Sequence, residues 1–94
     1  MVENKVKLVG LLPPFGQIAD ILWGKNAAID SDGNSRTAKS NDWNELTLIL
    51  RKDRNQRLDI DPDSQDKRYL LIRSEKNVLV SKTINFLRQY RSIE

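Results

Sequence analysis

The sequence predicts an α+β domain, a small and mostly antiparallel sheet of about 4–6 strands covered by a C-terminal amphipathic helix over about residues 77–91. Three observations carry this. Leu46, Leu48 and Leu50, then Leu58 and Ile60, alternate with other residues at the two-residue period of a half-buried strand. Arg68–Arg73 repeats the pattern, with Leu70 and Ile72 on one face and Tyr69 and Leu71 on the other. Val80, Ile84 and Leu87 then recur at helical spacing, with Leu79, Phe86 and Tyr90 beside them, a stripe wide enough to dock on a sheet.

Each element follows from local chemistry. Lys5-Val6-Lys7-Leu8 alternates polar and apolar, so a strand is expected from about Asn4 to Val9, ended by Gly10 and Pro13-Pro14. Phe15–Trp23 fits two patterns. Phe15, Ile18 and Leu22 suit a short helix started by the prolines, and Ala19, Ile21 and Trp23 suit one face of a strand; length favours the helix. From Asp30 to Asp42 the only apolar side chain is Ala38, so an exposed loop or a short hairpin turning at Asp32-Gly33-Asn34 is expected. Pairing Leu50 with Leu58 and Leu48 with Ile60 keeps the leucines on one face and sets Arg51 against Arg57. It leaves Asp53-Arg54-Asn55 as the loop. The apolar pair Tyr69 and Leu71 predicts a cover for the second face. Ser74 or Asn77 is the expected cap of the last helix, unless Asn77–Val80 is a further strand. Arg88 and Arg91 suit its C-terminal end. PH-like small barrels and sheets have the same element order, an analogy of architecture that no motif here extends to a family.

The length of 94 residues is that of a single domain, 1–94. Of these, 27 are Leu, Ile, Val or Phe, enough for a thin core. There is no Cys and no His. That excludes disulfides, thiol catalysis and His- or Cys-ligated metals, and removes the side chain best suited to proton transfer near pH 7. The apolar run Leu8–Leu12 is too short for a secretory signal, and no run approaches a membrane span. A cytoplasmic protein is expected.

Neither Asp30-Ser31-Asp32-Gly33-Asn34 nor Asp59-x-Asp61-x-Asp63 completes a calcium loop, because neither has Gly at position 6 or Glu at position 12. No glycine precedes Lys-Ser/Thr as a phosphate loop requires. Asp59 and Asp61 share a strand face beside Pro62 and read as a solvated strand end. No catalytic activity, metal or cofactor is therefore expected.

Two surface signals remain. Pro14, Phe15 and Trp23, in the segment that begins Leu11-Leu12-Pro13-Pro14-Phe15, either complete the core or anchor another protein. Lipid contact is a third use of the same aromatics, opposed by Asp20. The net charge is +3, and Arg51, Lys52, Arg54 and Arg57 cluster with only Asp53 among them, which suits phosphate contact with a nucleic acid. The competing use is a solvated hairpin that discourages aggregation, and no stacking aromatic lies within the cluster. The expected function is a small non-catalytic protein-interaction or regulatory module, with another protein or self-association through an open sheet edge as its partner. The alternative is an electrostatic nucleic-acid-binding domain built on the 51–57 hairpin.

Overall fold

A computed structural model describes the chain from Met1 to Glu94. The elements run β1 (Val2–Lys7), α1 (Phe15–Trp23), β2 (Ile29–Gly33), β3 (Leu46–Leu50), β4 (Arg57–Pro62), β5 (Tyr69–Ser74) and α2 (Asn77–Gln89). The five strands form one antiparallel sheet in the order β1-β5-β4-β3-β2, so β1 and β2 are its open edges. The expected α+β architecture with a C-terminal helix is what the chain adopts. No helix is long and apolar enough to cross a membrane.

Both helices pack on one face of the sheet. α2 lies on β5, β1 and β4, while α1 lies on β3 and against α2. The two-residue period sends Val6, Leu46, Leu48, Leu58, Ile60, Leu70 and Ile72 into this layer, where all are buried. Ile18, Leu22, Leu79, Val80 and Leu87 meet them from the helices. Thr83 is buried in the same stripe because its hydroxyl donates to the Leu79 carbonyl at 2.8 Å.

The ends of the chain close the layer. Val9 and Gly10 N–H donate to the Ser92 carbonyl, and Ser92 Oγ donates to the Leu11 carbonyl at 2.6 Å. Leu8 bridges Ile93, which is buried. These bonds draw the chain out of the sheet after Lys7, so β1 ends earlier than the alternation implied.

Phe15–Trp23 forms the helix that its length favoured, opened by Pro14, which supplies no side-chain cap. Several other expectations are corrected. Residues 30–33 belong to a strand, leaving 34–45 as the connection to β3. The chain does not turn at Asp32-Gly33-Asn34; Asn34 N–H continues the ladder to the Glu45 carbonyl. Asp30 and Asp32 face solvent at an edge, so β2 needs no apolar alternation to be stable. The β3–β4 register differs by two residues: Leu48 opposes Leu58, Leu46 opposes Ile60 and Ile49 opposes Arg57. A shift of two preserves which face each side chain takes, so the apolar pattern cannot select between the registers. The observed one lets Thr47 Oγ1 donate to Asp59 Oδ1 at 2.6 Å and turns through residues 51–56.

Ser74 does not cap α2. It is buried, its hydroxyl donates to the Arg57 carbonyl, and it accepts the Lys76 N–H at 3.0 Å. Lys76 takes the cap position and Asn77 is already helical. No element covers the second face of the sheet. Leu71 is half-buried there between Lys5 of β1 and Asp61 of β4, and the Lys5 ammonium lies 4.9 Å from the Tyr69 ring centroid.

Candidate interaction surface

The aromatic segment separates into core and surface. Pro13 is fully buried and Phe15 is 8% exposed, both within the core, and Pro14 is half-buried at the helix start. The indole of Trp43, 3% exposed, donates to the Pro13 carbonyl at 2.9 Å and fixes this turn. Phe15 thus completes the fold and leaves the surface role to Trp23.

Trp23 ends α1 and is half-buried. Gly24 follows with φ of 89°, and its N–H closes the helix on the Asp20 carbonyl at 2.8 Å. The indole N–H of Trp23 donates to Gln56 Oε1 at 3.3 Å, linking the helix end to the β3–β4 turn. Between them opens a cleft of about 430 Å³, walled by Trp23, Ala27, Ala28 and Leu50 and rimmed by Lys25 and Lys52. The two lysines are exposed, and neither takes part in an ion pair. Gln56, Lys25 and the walls other than Trp23 were not singled out by the sequence. The short apolar run Ala27-Ala28-Ile29 beside Trp23 was the available signal.

A second cleft of about 410 Å³ lies along β2, with Phe15, Ile29 and Ala38 among its walls and Ser31, Arg36 and Thr37 among its polar lining. Loop 34–45 reaches it through the Gly16 N–H, which donates to the Ala38 carbonyl at 3.0 Å.

The basic hairpin is brought together but internally satisfied. Arg51 Nε and Arg54 Nη1 hold the two oxygens of Asp30 at 2.8 and 2.7 Å. Arg54, then Arg51, lower the Asp30 carboxyl pKa below its usual value by hydrogen bonding to its charged form. Arg57 clasps both oxygens of Asp59 at 3.0 and 3.2 Å, which raises the guanidinium pKa further. Of the four basic residues, only Lys52 is left without a carboxylate. The arrangement recurs nearby: Arg68 holds Asp66 in the turn before β5, and Arg73 of β5 holds Asp61 of β4. The outer face is therefore a lattice of paired charges, which weakens it as a phosphate-binding surface.

No protein-family model, curated protein or solved structure matches the chain.

Proposed function

We propose that the protein is a non-catalytic interaction module, regulatory in effect, that binds another protein through the Trp23 cleft. The observation that carries this reading is a half-buried indole held by Gln56 at the lip of an apolar cleft with two unpaired lysines on its rim. Such a site suits an apolar side chain flanked by carboxylates. An indole already fixed in position loses little freedom on binding, and central aromatics of this kind contribute most to affinity. A cytoplasmic setting belongs to the same reading, supported by a sequence without cysteine. The nucleic-acid alternative draws less support, because Arg51, Arg54 and Arg57 already hold carboxylates.

The test is affinity capture from extracts of the source cell with the wild-type chain and with Trp23→Ala, comparing salt concentrations. A protein retained at high salt by the wild type and lost from Trp23→Ala is the expected result, since apolar contact persists where phosphate contact weakens. Equal retention by both proteins overturns the cleft as the site. A nucleic acid released by salt, and lost on Arg54→Ala with Arg57→Ala, replaces the reading with the alternative.

A further inference from the structure

The free edge of β2 has an ordered set of unused groups. Arg51 N–H donates to the Ala28 carbonyl and Asn34 N–H to the Glu45 carbonyl, at the two ends of the β2–β3 ladder. In an antiparallel pair, hydrogen-bonded and non-hydrogen-bonded positions alternate. Asp30–Ile49 and Asp32–Thr47 are therefore the bonded pairs, and Ile29, Ser31 and Gly33 direct their N–H and C=O away from β3. Gly33 N–H is taken by Asp32 Oδ1 at 2.8 Å. The amides of Ile29 and Ser31 face outward with no partner in the chain. The opposite edge differs: the C-terminal segment crosses it, with Glu94 N–H on the Lys7 carbonyl at 3.1 Å.

The charges along this edge are self-complementary. Asp30 with Arg51 and Arg54 sums to one net positive charge, and each guanidinium spends a single N–H on Asp30. Two residues along the same face, Asp32 is exposed and in no ion pair. An antiparallel two-fold axis through Ser31 would set Asp32 of a second copy opposite Asp30, beside the unused guanidinium N–H groups. The same contact repeats on the other side of the axis. On the helix side Ile29 would oppose Gly33, and the second strand would lie along the cleft that Ile29, Ser31 and Gly33 share with residues 35–38 of the loop.

We infer that β2 pairs with β2 of a second copy of this chain, joining two five-stranded sheets into one, with the Asp30–Arg51–Arg54 clamp of each copy receiving Asp32 of the other. About four intermolecular backbone bonds form, two between the Ser31 residues and one from each Ile29 N–H to the opposite Gly33 carbonyl. An edge of five residues buries less than the roughly 1,600 Å² of a standard interface, so the dimer is weak and concentration-dependent. The inference stands apart from the Trp23 cleft, and Trp23→Ala is expected to dimerise as the wild type does.

Sedimentation equilibrium of the intact chain, up to about 1 mM to reach weak interfaces, is the test. The wild type should show a monomer–dimer equilibrium. Ser31→Pro removes the outward N–H at an edge position where a strand tolerates proline, and Asp32→Lys sets a positive charge against the clamp. Each should weaken association by about tenfold or more, with far-UV circular dichroism unchanged. Asp32→Lys combined with Arg54→Glu reverses both signs and should restore association to within about threefold of wild type. A wild type that stays monomeric throughout overturns the inference. So does association unaffected by Ser31→Pro or Asp32→Lys, or a double variant no better than Asp32→Lys alone.

Discussion

At the scale of single residues, the carboxylates decide how the molecule responds to pH. Asp66 accepts from the Arg68 side chain at 2.8 and 3.0 Å and from the Arg68 backbone N–H, and these bonds pull its pKa down to about 2. Asp63 is lowered by Lys5, whose ammonium lies 2.7 Å away, and by the Gln65 N–H, while Asp30 is lowered by Arg54 and Arg51. A carboxyl with a depressed folded pKa contributes stability above its unfolded value, near 3.8, and loses it as pH falls through the folded value. Lys5 runs the other way. Its pKa is raised, first by the hydrogen bond to Asp63, so its contribution is full below 10.5 and is lost as pH rises past the folded value. With no His in the chain, side-chain titration adds little between these limits. Urea midpoints should therefore be flat from about pH 5 to pH 9 and fall between about pH 4 and pH 2. A carbon-detected titration should place Asp66 lowest among the three carboxyls. A midpoint that already drops between pH 7 and pH 5 contradicts this assignment.

Single strands and turns show what a sequence can encode legibly. The alternation in β3, β4 and β5 and the Leu79, Val80 and Leu87 part of the α2 stripe correspond to real burial, because a residue that must face the core has little chemical choice; Ile84 and Phe86 are half-buried and Tyr90 is exposed. The β3–β4 register was not legible, since Leu48 is apolar and inward whether it meets Leu58 or Ile60. What separates the two registers is a polar detail, the Thr47–Asp59 hydrogen bond and the reach of Arg51 and Arg54 to Asp30. β2 was hidden for the converse reason, its outer residues Asp30 and Asp32 facing solvent at an edge. Trp23 was legible as a candidate anchor, but nothing in the sequence separated it from Phe15, which entered the core instead. Glycine gives a sharper test of β2. A methyl group on Gly33, whose φ is 137°, would collide with the Glu45 carbonyl oxygen, so the mouth of the β2–β3 hairpin would have to open. Gly24 also has positive φ, 89°, but a methyl there meets nothing within 4 Å. Gly24→Ala should thus cost only backbone strain, about 1–3 kcal/mol. Gly33→Ala adds a backbone clash and should cost about 3 kcal/mol or more, with amide exchange accelerated first in β2. Equal losses in urea unfolding would mean that the β2–β3 mouth yields without resistance.

Over the whole molecule, stability depends on how the ends of the chain close a single two-layer core. Seventeen buried apolar residues form one cluster spanning both helices and the four strands β1, β3, β4 and β5. The C-terminal residues belong to that cluster. Ile93 is 4% exposed and bridges Leu8, and the flanking bonds from Val9, Gly10 and Ser92 hold the connection between β1 and α1 in place. That connection carries Leu12 and Pro13, and Pro13 in turn accepts the bond from Trp43. A loss at Ile93 is therefore transmitted to the loop between β2 and β3, far away in sequence. Ile93→Ala removes a buried aliphatic side chain from a site backed by main chain, which should cost about 2–4 kcal/mol. Because the clasp and the Trp43 contact share one core, unfolding should stay a single cooperative transition. Far-UV circular dichroism, reporting the sheet and helices, and tryptophan fluorescence, reporting Trp43 and Trp23, should shift to lower urea together. Separated transitions in the variant would show instead that the C-terminal clasp opens independently of the core. The bond from Ser92 to Leu11 and those from Val9 and Gly10 to Ser92 would then be a latch on the surface, and Ile93 its only tie to the interior.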